Sequence, residues 1–562
     1  MWLSVSERRS ELEARYPAWP ATTVDRHIAG VTTEFPDRPF VITDEVTWSY
    51  RHVDERAESF ARGLRACGVQ PGDRVALVIA NKPEFVPLAL AVWRLGASAI
   101  PVNFLFKAQE LAYVISQSAC TVVVTMDEFR GLDYIAAFDQ MAPGWQLGHP
   151  AAFPGLARVV VLGNAPDGVL SVDDLAELDD GLGPVAFNPS APLDTAVVMY
   201  TSGTTGLPKG VIQTHDGILR TGYSTAHHRA FEDGRRILFA LPLYHAFGLV
   251  EGLIAATFVG GAVIPQPIFD PAATLAGIER HKASDLLLVP TMSVAILEHP
   301  DRHQYDLSSM RSVLAGAAPT PVWVWQQLKD LLGIDEVFTG YGMTELTAAT
   351  TFTAPGDPLD VVNATVGTPK DAGRAGVAEW GGKIAQYATC DPFTGELLST
   401  GSEGELVARG PTTTPGYFAN PVETAKLLLA DGWVRSGDLG RVRPDGYLQL
   451  TGRSKELYKS VGELVAPKEV EDILLDYPGV AQAFVIGLPD DRWGEIGCAC
   501  LVLAPGATEP TEDAVLEFCK PQLAKFKWPR KVMFLTAAEL PATPTGKVQK
   551  FRLIEMAQKR LT

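Results

Sequence analysis

The densest chemistry in the sequence lies in Tyr200–Gly210, YTSGTTGLPKG, where three glycines, a proline and Lys209 surround the hydroxyls of Thr201, Ser202, Thr204 and Thr205. Glycines let backbone amides approach an oxyanion, hydroxyls donate further hydrogen bonds, and the lysine adds a mobile positive charge, a combination suited to a polyphosphate. No Gly-Lys-Ser/Thr follows at Walker A spacing, and the competing reading is a Gly/Pro-rich surface turn. Four weaker clusters follow. Gly342-Met343-Thr344-Glu345 sets a hydroxyl beside a carboxylate, which suits a phosphate and its Mg²⁺, or a helix N-capping box. Ser436-Gly437-Asp438 offers a carboxylate to a diol or forms a plain Asp turn. Arg453 suits a phosphate or a surface ion pair, and Pro544-Thr545-Gly546-Lys547 puts one lysine on a Gly-flanked loop, where solvation is the default.

The elements that must carry these groups alternate in type. Arg74–Ala80, Ala97–Val102 and Cys120–Thr125 read as strands, with helices over Glu84–Leu95 and Glu110–Gln117 between them. Continuous apolar strands separated by helices predict an α/β fold with a parallel sheet covered on both faces. Arg158–Leu162 and Ala196–Tyr200 continue the pattern, and the polar stretch Gly163–Asp194 reads as a surface excursion. Strands over Arg235–Leu241, Leu286–Val289, Ser312–Leu314 and Asp335–Thr339 then run into small or polar residues. Ligands of open parallel sheets sit at strand carboxyl ends, so these four ends and the Tyr200 loop are expected at one crevice.

From about residue 400 to 452 short β-like runs with Gly turns predict a small β subdomain. A fresh α/β pattern follows, with a helix over Pro467–Asp476, strands over Val480–Ile486 and Gly497–Leu503, and a helix over Glu512–Gln522. The expected organisation is a large amino-terminal domain, 1–452, and a small mobile α+β domain, 453–562.

A chain of 562 residues with 46% hydrophobic and 20% charged residues reads as an ordinary globular protein of several subdomains. The net charge of -18 argues against a general nucleic-acid surface, and any phosphate site must be a local cluster of donors and cations. Six cysteines, without CxxC or Cys/His spacing, are too sparse for a disulfide framework or a zinc site, which leaves reduced thiols in a cytosol. Charges near the amino terminus oppose a secretory signal. The apolar stretch Phe247–Phe269 is interrupted by Glu251, glycines and prolines, so buried strands and turns are expected there rather than a membrane span.

YTSGTTGLPKG, LPLYHAFG, YGMTEL, SGDLG, GRSKELYKSVGELVAPKEVE and PATPTGKVQK occur in that order. They resemble the core motifs of the adenylate-forming acyl-CoA synthetases, fatty-acyl and 4-coumarate CoA ligases among them. The resemblance implies ATP-dependent activation of a fatty, aryl or alicyclic carboxylic acid to an acyl-adenylate, with release of pyrophosphate and transfer to CoA. It implies that Thr201, Ser202, Gly203, Thr204, Thr205, Gly206 and Lys209 grip the β- and γ-phosphates. Ala317, Ala318 and Pro319, with Tyr341 and Gly342, would enclose the adenine; Thr344 would contact the α-phosphate. Glu345, with Thr201, would hold Mg²⁺. Asp438 would bind the ribose beside Arg453, and Lys547 would reach the reacting carboxylate. Lys455 matches the hinge, and Lys459–Gly462 the turn that lines the pantetheine tunnel.

The same resemblance places Phe247, Gly248, Gly316 and Gly340 around the acyl group, and His245, counted with the catalytic residues, at the border of that pocket or at the gate of the thiol tunnel. No Asp follows Tyr244-His245-Ala246-Phe247, which disfavours an α-amino acid; Glu251 is open to a polar substrate group or a helix surface. Lys370–Ala388 is longer than the family's usual connection and reads as a surface insertion. The acceptor stays open between CoA and a carrier-protein thiol or an amine, and the oligomeric state between monomer and homodimer.

Overall fold

Strands buried on both faces, such as Ser98–Pro101, Val122–Met126, Asp285–Leu288 and Ser312–Ala315, form the centres of the two large sheets, as the uninterrupted apolar runs require. A computed structural model describes residues 3–185, 190–201, 208–316, 320, 322–453, 456–460, 463–490, 493–504, 506–542 and 548–561, with Leu464 described by its backbone alone. They divide into two units, Met1–Gln386 with Ala408–Val434, and Tyr387–Val407 with Arg435–Thr562.

The first unit holds two seven-stranded sheets. One runs Glu336–Phe338, Ser312–Ala315, Asp285–Leu288, Arg236–Phe239, Ala262–Pro265, Pro39–Ile42, Thr47–Ser49, and is parallel except for its last strand. The four strands singled out for their carboxyl ends are therefore consecutive neighbours. Being parallel, they deliver those ends to one edge.

The other sheet runs Lys209–Thr214, Thr195–Thr201, Ser98–Pro101, Arg74–Val78, Val122–Met126, Arg158–Leu162, Leu170–Ser171. Its centre is parallel. Thr195–Thr201 and Lys209–Thr214 form an antiparallel hairpin, with Thr201 opposite Lys209. The helix Phe85–Arg94 is buried along its whole length, so its apolar residues are packed all round rather than on one stripe.

Three sequence expectations are corrected. Phe247–Phe269 is not a run of strands: Phe247–Ile254 is π-helical and continues as the α-helix Ala255–Thr257, with a strand only at Ala262–Pro265. An apolar run of this kind carries no periodicity that separates a buried helix from a buried strand. Gly163–Asp194 is not all excursion, because Leu170–Ser171 adds an edge strand parallel to Val160–Val161. The helix Val172–Glu177 follows it and packs so closely that a Cβ at Gly63 would lie 2.0 Å from the Leu175 carbonyl oxygen. Lys370–Ala388 is not a surface insertion, since Lys370, Ala372, Ala375, Ile384 and Ala385 are buried.

The second unit contains a four-stranded sheet in the order Gln386–Cys390, Gly404–Arg409, Val434–Val442, Leu448–Arg453. A further sheet joins Glu463–Val465, Tyr458–Ser460, Gly494–Leu503 and Val480–Asp490, with Lys531–Leu535 parallel to Gly494–Leu503. Helices Pro467–Leu475 and Glu512–Cys519 bury Val470, Leu474, Val515 and Cys519 against one face; Lys550–Leu561 buries Leu553 and Ala557 in a second apolar cluster.

Candidate active site

The turn Thr344–Thr347 is tied down from several directions. Gln213, on the second strand of the Thr195–Thr214 hairpin, donates from Nε2 to the carbonyl oxygens of Thr344 and Thr347, both at 3.1 Å. The Thr347 hydroxyl donates to the Thr412 carbonyl at 2.6 Å, and the Thr414 N–H donates to the Glu345 carbonyl at 2.8 Å. Thr347 itself sits at φ 76°, a conformation that strains a β-branched residue and persists only where surroundings over-determine it.

The Glu345 carboxylate is fixed by Tyr417, whose hydroxyl donates to Oε1 at 2.8 Å. Burial, reinforced by the Glu345 charge, pushes the Tyr417 phenol well above its ordinary pKa and keeps it a donor. Tyr417 reaches this point because Gly416–Phe418 lies along the outer edge of the hairpin. The Ile212 N–H donates to the Gly416 carbonyl at 3.1 Å, and the Phe418 N–H to the Gly210 carbonyl at 2.7 Å. Lys209 lies there too, paired with Glu423 and 5.1 Å from the Tyr417 ring centroid. Lys209, with Lys426, draws the Glu423 carboxyl down to about 2.

Gly340 and Gly342 border the turn on the strand Gly340–Gly342. A Cβ at Gly342 would stand 2.0 Å from the Ala348 carbonyl oxygen, and one at Gly340 would stand 2.3 Å from that of Thr351. Tyr341 lies between them, its N–H donating to the Thr351 hydroxyl at 3.1 Å.

Near His245, Asn81 locks the bend after Arg236–Phe239. Its amide donates to the carbonyls of Leu241 at 2.9 Å and Gln266 at 3.1 Å, and its Oδ1 accepts the Leu243 N–H at 2.9 Å. The bend delivers His245 to the start of the π-helix. The Phe247 N–H donates to His245 Nδ1 at 3.2 Å, which leaves the proton of the neutral ring on Nε2. Gly248 lets the helix close on the bend, because a Cβ there would meet the Pro242 carbonyl oxygen at 2.5 Å. Gly316 is under no such pressure, since a Cβ there would make an ordinary contact of 3.6 Å with the Phe247 ring. The strand ends and the hairpin thus bring together Thr201, Lys209, Tyr341, Gly342, Thr344 and Glu345 on one side, and His245, Phe247, Gly248 and Gly316 on the other.

The description AMP-binding enzyme matches residues 29–418, and its C-terminal domain matches 469–547. The chain belongs to the AMP-binding enzyme family. It is 34% identical over 535 residues to the 3-[(3aS,4S,7aS)-7a-methyl-1,5-dioxo-octahydro-1H-inden-4-yl]propanoyl:CoA ligase of Rhodococcus jostii, covering 94% of this chain and 98% of that one. It is 35% identical over 502 residues to a feruloyl-CoA synthase of Amycolatopsis, covering 89% and 92%. The solved anthranilate CoA ligase in complex with anthranoyl-AMP superposes with a TM-score of 0.83 at 25% identity, over the full length of both chains.

In this AMP-binding enzyme the second unit presents Asp438 and Arg453 opposite one another on a hairpin, joined by an ion pair of 2.8 Å from Arg453 Nε to Asp438 Oδ1. The Asp438 N–H donates to the Ser436 hydroxyl at 3.0 Å, and that hydroxyl donates to the Leu406 carbonyl at 2.6 Å. Lys459 is exposed, its N–H donating to Glu495 at 2.7 Å. Ser202 to Gly206, Ala317 to Pro319, Lys455, Gly462 and Lys547 lie outside the described residues.

Sequence reasoning missed Tyr417, Gln213, Glu423 and Asn81. Only Tyr417, in Gly-Tyr-Phe, carried a local signal, and nothing near it in sequence names Glu345 as its partner. Glu251, which the sequence leaves open to two readings, is neither on a helix surface nor free for substrate. It is buried, and its carboxylate accepts from Thr225 and from the Ala349 N–H.

Glu345 fits a Mg²⁺ ligand. Its other oxygen takes no bond among the described residues, which also hold no group of three or more His, Cys, Asp or Glu that could by itself hold a metal ion. One carboxylate with phosphate and water oxygens is the set that Mg²⁺ prefers. No described helix is long and apolar enough to cross a membrane.

Proposed function

We propose that this acyl-CoA synthetase activates an apolar carboxylic acid, with a ring or a medium chain, and passes it to CoA. The supporting observation is the fate of Glu251. Among the described residues Tyr244–Ile254 it is the only acid, and its carboxylate is already engaged by Thr225, Ala349 and Lys370. No acidic group there remains to meet an ammonium or a second polar function of the substrate. The ring of Phe247 and the bare backbone of Gly316 suit a flat or bulky apolar group instead. Relatives named for an indenyl-propanoyl and a feruloyl group agree with that choice.

In the first step the carboxylate of the acid attacks the α-phosphate, and two anions must meet. Thr344 is assigned to the α-phosphate and Lys209 to the departing pyrophosphate. Tyr417 holds Glu345 in place for Mg²⁺, which when bound supplies positive charge to the phosphates. Tyr341 is assigned to the adenine, Asp438 and Arg453 to the ribose, and Lys547 to the reacting carboxylate. In the second step the CoA thiol attacks the mixed anhydride and AMP leaves. The Lys459–Gly462 turn is assigned to the pantetheine arm, with the hinge at Lys455 exchanging the lysine loop for that turn.

A pyrophosphate-release screen over fatty, aryl, alicyclic and β-amino acids tests the substrate class. Apolar acids are expected to give the highest kcat/KM. A preference for the β-amino acids would contradict the reading of Glu251.

A further inference from the structure

One buried charge pair is not among the groups assigned to either half-reaction. Glu251 stands about one turn after Phe247 on the acyl-side helix, and Lys370 lies beyond the adenine-side strands; their side chains are 1% and 0% exposed. Lys370 Nζ is 3.5 Å from Glu251 Oε1. It donates to the Thr225 hydroxyl at 2.7 Å and to the Thr221 carbonyl at 3.3 Å, and it lies 4.8 Å from the Phe352 ring centroid. The Thr225 hydroxyl in turn donates to Glu251 Oε2. Burial draws the Lys370 ammonium down to about 8, against the pull of Glu251 that holds it charged.

The carboxylate reaches across to a different element. Glu251 Oε1 accepts the N–H of Ala349 at 3.0 Å. Ala349 opens the strand Ala349–Phe352, stands opposite Gly342, and follows the Thr344–Thr347 turn almost directly. A residue on the acyl-side helix therefore holds the backbone that borders the Glu345 turn. Stability alone is a poor reason for such a pair, because well-packed apolar residues of the same volume usually replace a buried ion pair at no cost. The Ala349 N–H does need an acceptor, and the helix supplies it at a fixed place.

We propose that Glu251, charge-balanced by Lys370 and oriented by Thr225, is a positioning residue for adenylation that sets the Glu345 turn against the helix carrying Phe247. It fixes the distance between the acid's carboxylate and the α-phosphate, where small displacements cost large rate factors. This inference rests on the acid-activation reading, which acid-dependent pyrophosphate exchange by the unaltered chain tests by itself.

The decisive comparison is between the double variants E251Q/K370M and E251L/K370M. Neither buries an unpaired charge, but only glutamine keeps an acceptor for the Ala349 N–H. The glutamine variant is expected to adenylate within about threefold of the unaltered rate. The leucine variant is expected to lose about thirtyfold in kcat for adenylation, with KM for ATP and acid within about twofold. Both are expected to convert pre-made acyl-adenylate and CoA to thioester at the unaltered rate. Equal adenylation by the two variants, or equal loss of both half-reactions in the leucine variant, overturns the proposal. Thr225→Val, which keeps the charge pair and removes the orienting hydroxyl, provides a second test should leucine prevent folding. About fivefold loss confined to adenylation supports the proposal, and an unchanged rate refutes it.

Discussion

The Glu345 turn and the Phe247 helix, which we assign to the nucleotide and to the acyl group, are built by different means. Around Glu345, placement comes from side-chain hydrogen bonds: Tyr417 to the carboxylate, Gln213 and Thr347 to backbone carbonyls. Around Phe247, placement comes from the bend that Asn81 locks and from the close approach of Gly248 to Pro242, while Gly316 keeps an ordinary contact distance from the Phe247 ring. Polar ties hold charge where a reaction develops it, whereas packing defines only a shape. Substitutions at Glu345 and at Gly316 are therefore expected to separate kcat from substrate preference, with Glu251 tying the two regions together.

Glu345→Gln should have the largest effect, about a thousandfold loss in adenylation with every acid, read by pyrophosphate exchange. Tyr417→Phe leaves the carboxylate present but untethered. It should cost tenfold to a hundredfold in kcat, in proportion for all acids, since a hydrogen bond to a charged group contributes about 1.5–3 kcal/mol. Gly316→Val sharpens the contrast from the other side. Its side chain would extend from a position already 3.6 Å from the Phe247 ring, so KM for bulky ring acids should rise about tenfold while kcat with small acids stays within about threefold. Parallel losses for all acids at Gly316 would erase the distinction.

The smallest expected effect concerns folding rather than catalysis. Burial holds His27 near 3, His228 near 3 and His215 near 4, all below the ordinary value. Between pH 6.5 and about 4 the unfolded chain binds more protons at these groups than the folded one, so stability falls as pH falls. Each adds about 1.4 kcal/mol per pH unit to the slope where its unfolded form is protonated. His27→Gln should reduce the acid slope by about one proton, measured from denaturation midpoints across that window.

Much of the fold was legible because the strand signal is local. Arg158–Leu162 appears with the bounds its apolar run announces, and the alternation of strands and helices over 74–126 carries straight into a parallel sheet. The π-helix Phe247–Ile254 was not legible, since residues buried on all sides carry no period. The residues assigned to the nucleotide were readable as candidates because they sit within short motifs such as Gly342–Glu345. Tyr417, Gln213 and the Glu251–Lys370 pair were not, because each acts on a residue far along the chain. Their roles follow from the edge pairing of Gly416–Phe418 with the hairpin and from the antiparallel strands after Glu345, which no local pattern encodes.

Rapid-quench turnover of the unaltered chain with ATP, Mg²⁺ and an apolar acid tests acid activation most directly. Without CoA, an acyl-adenylate and one equivalent of pyrophosphate are expected to accumulate on the enzyme, and added CoA should convert the adenylate to thioester and AMP. Pyrophosphate release independent of acid, or an adenylate inert to CoA, would contradict it.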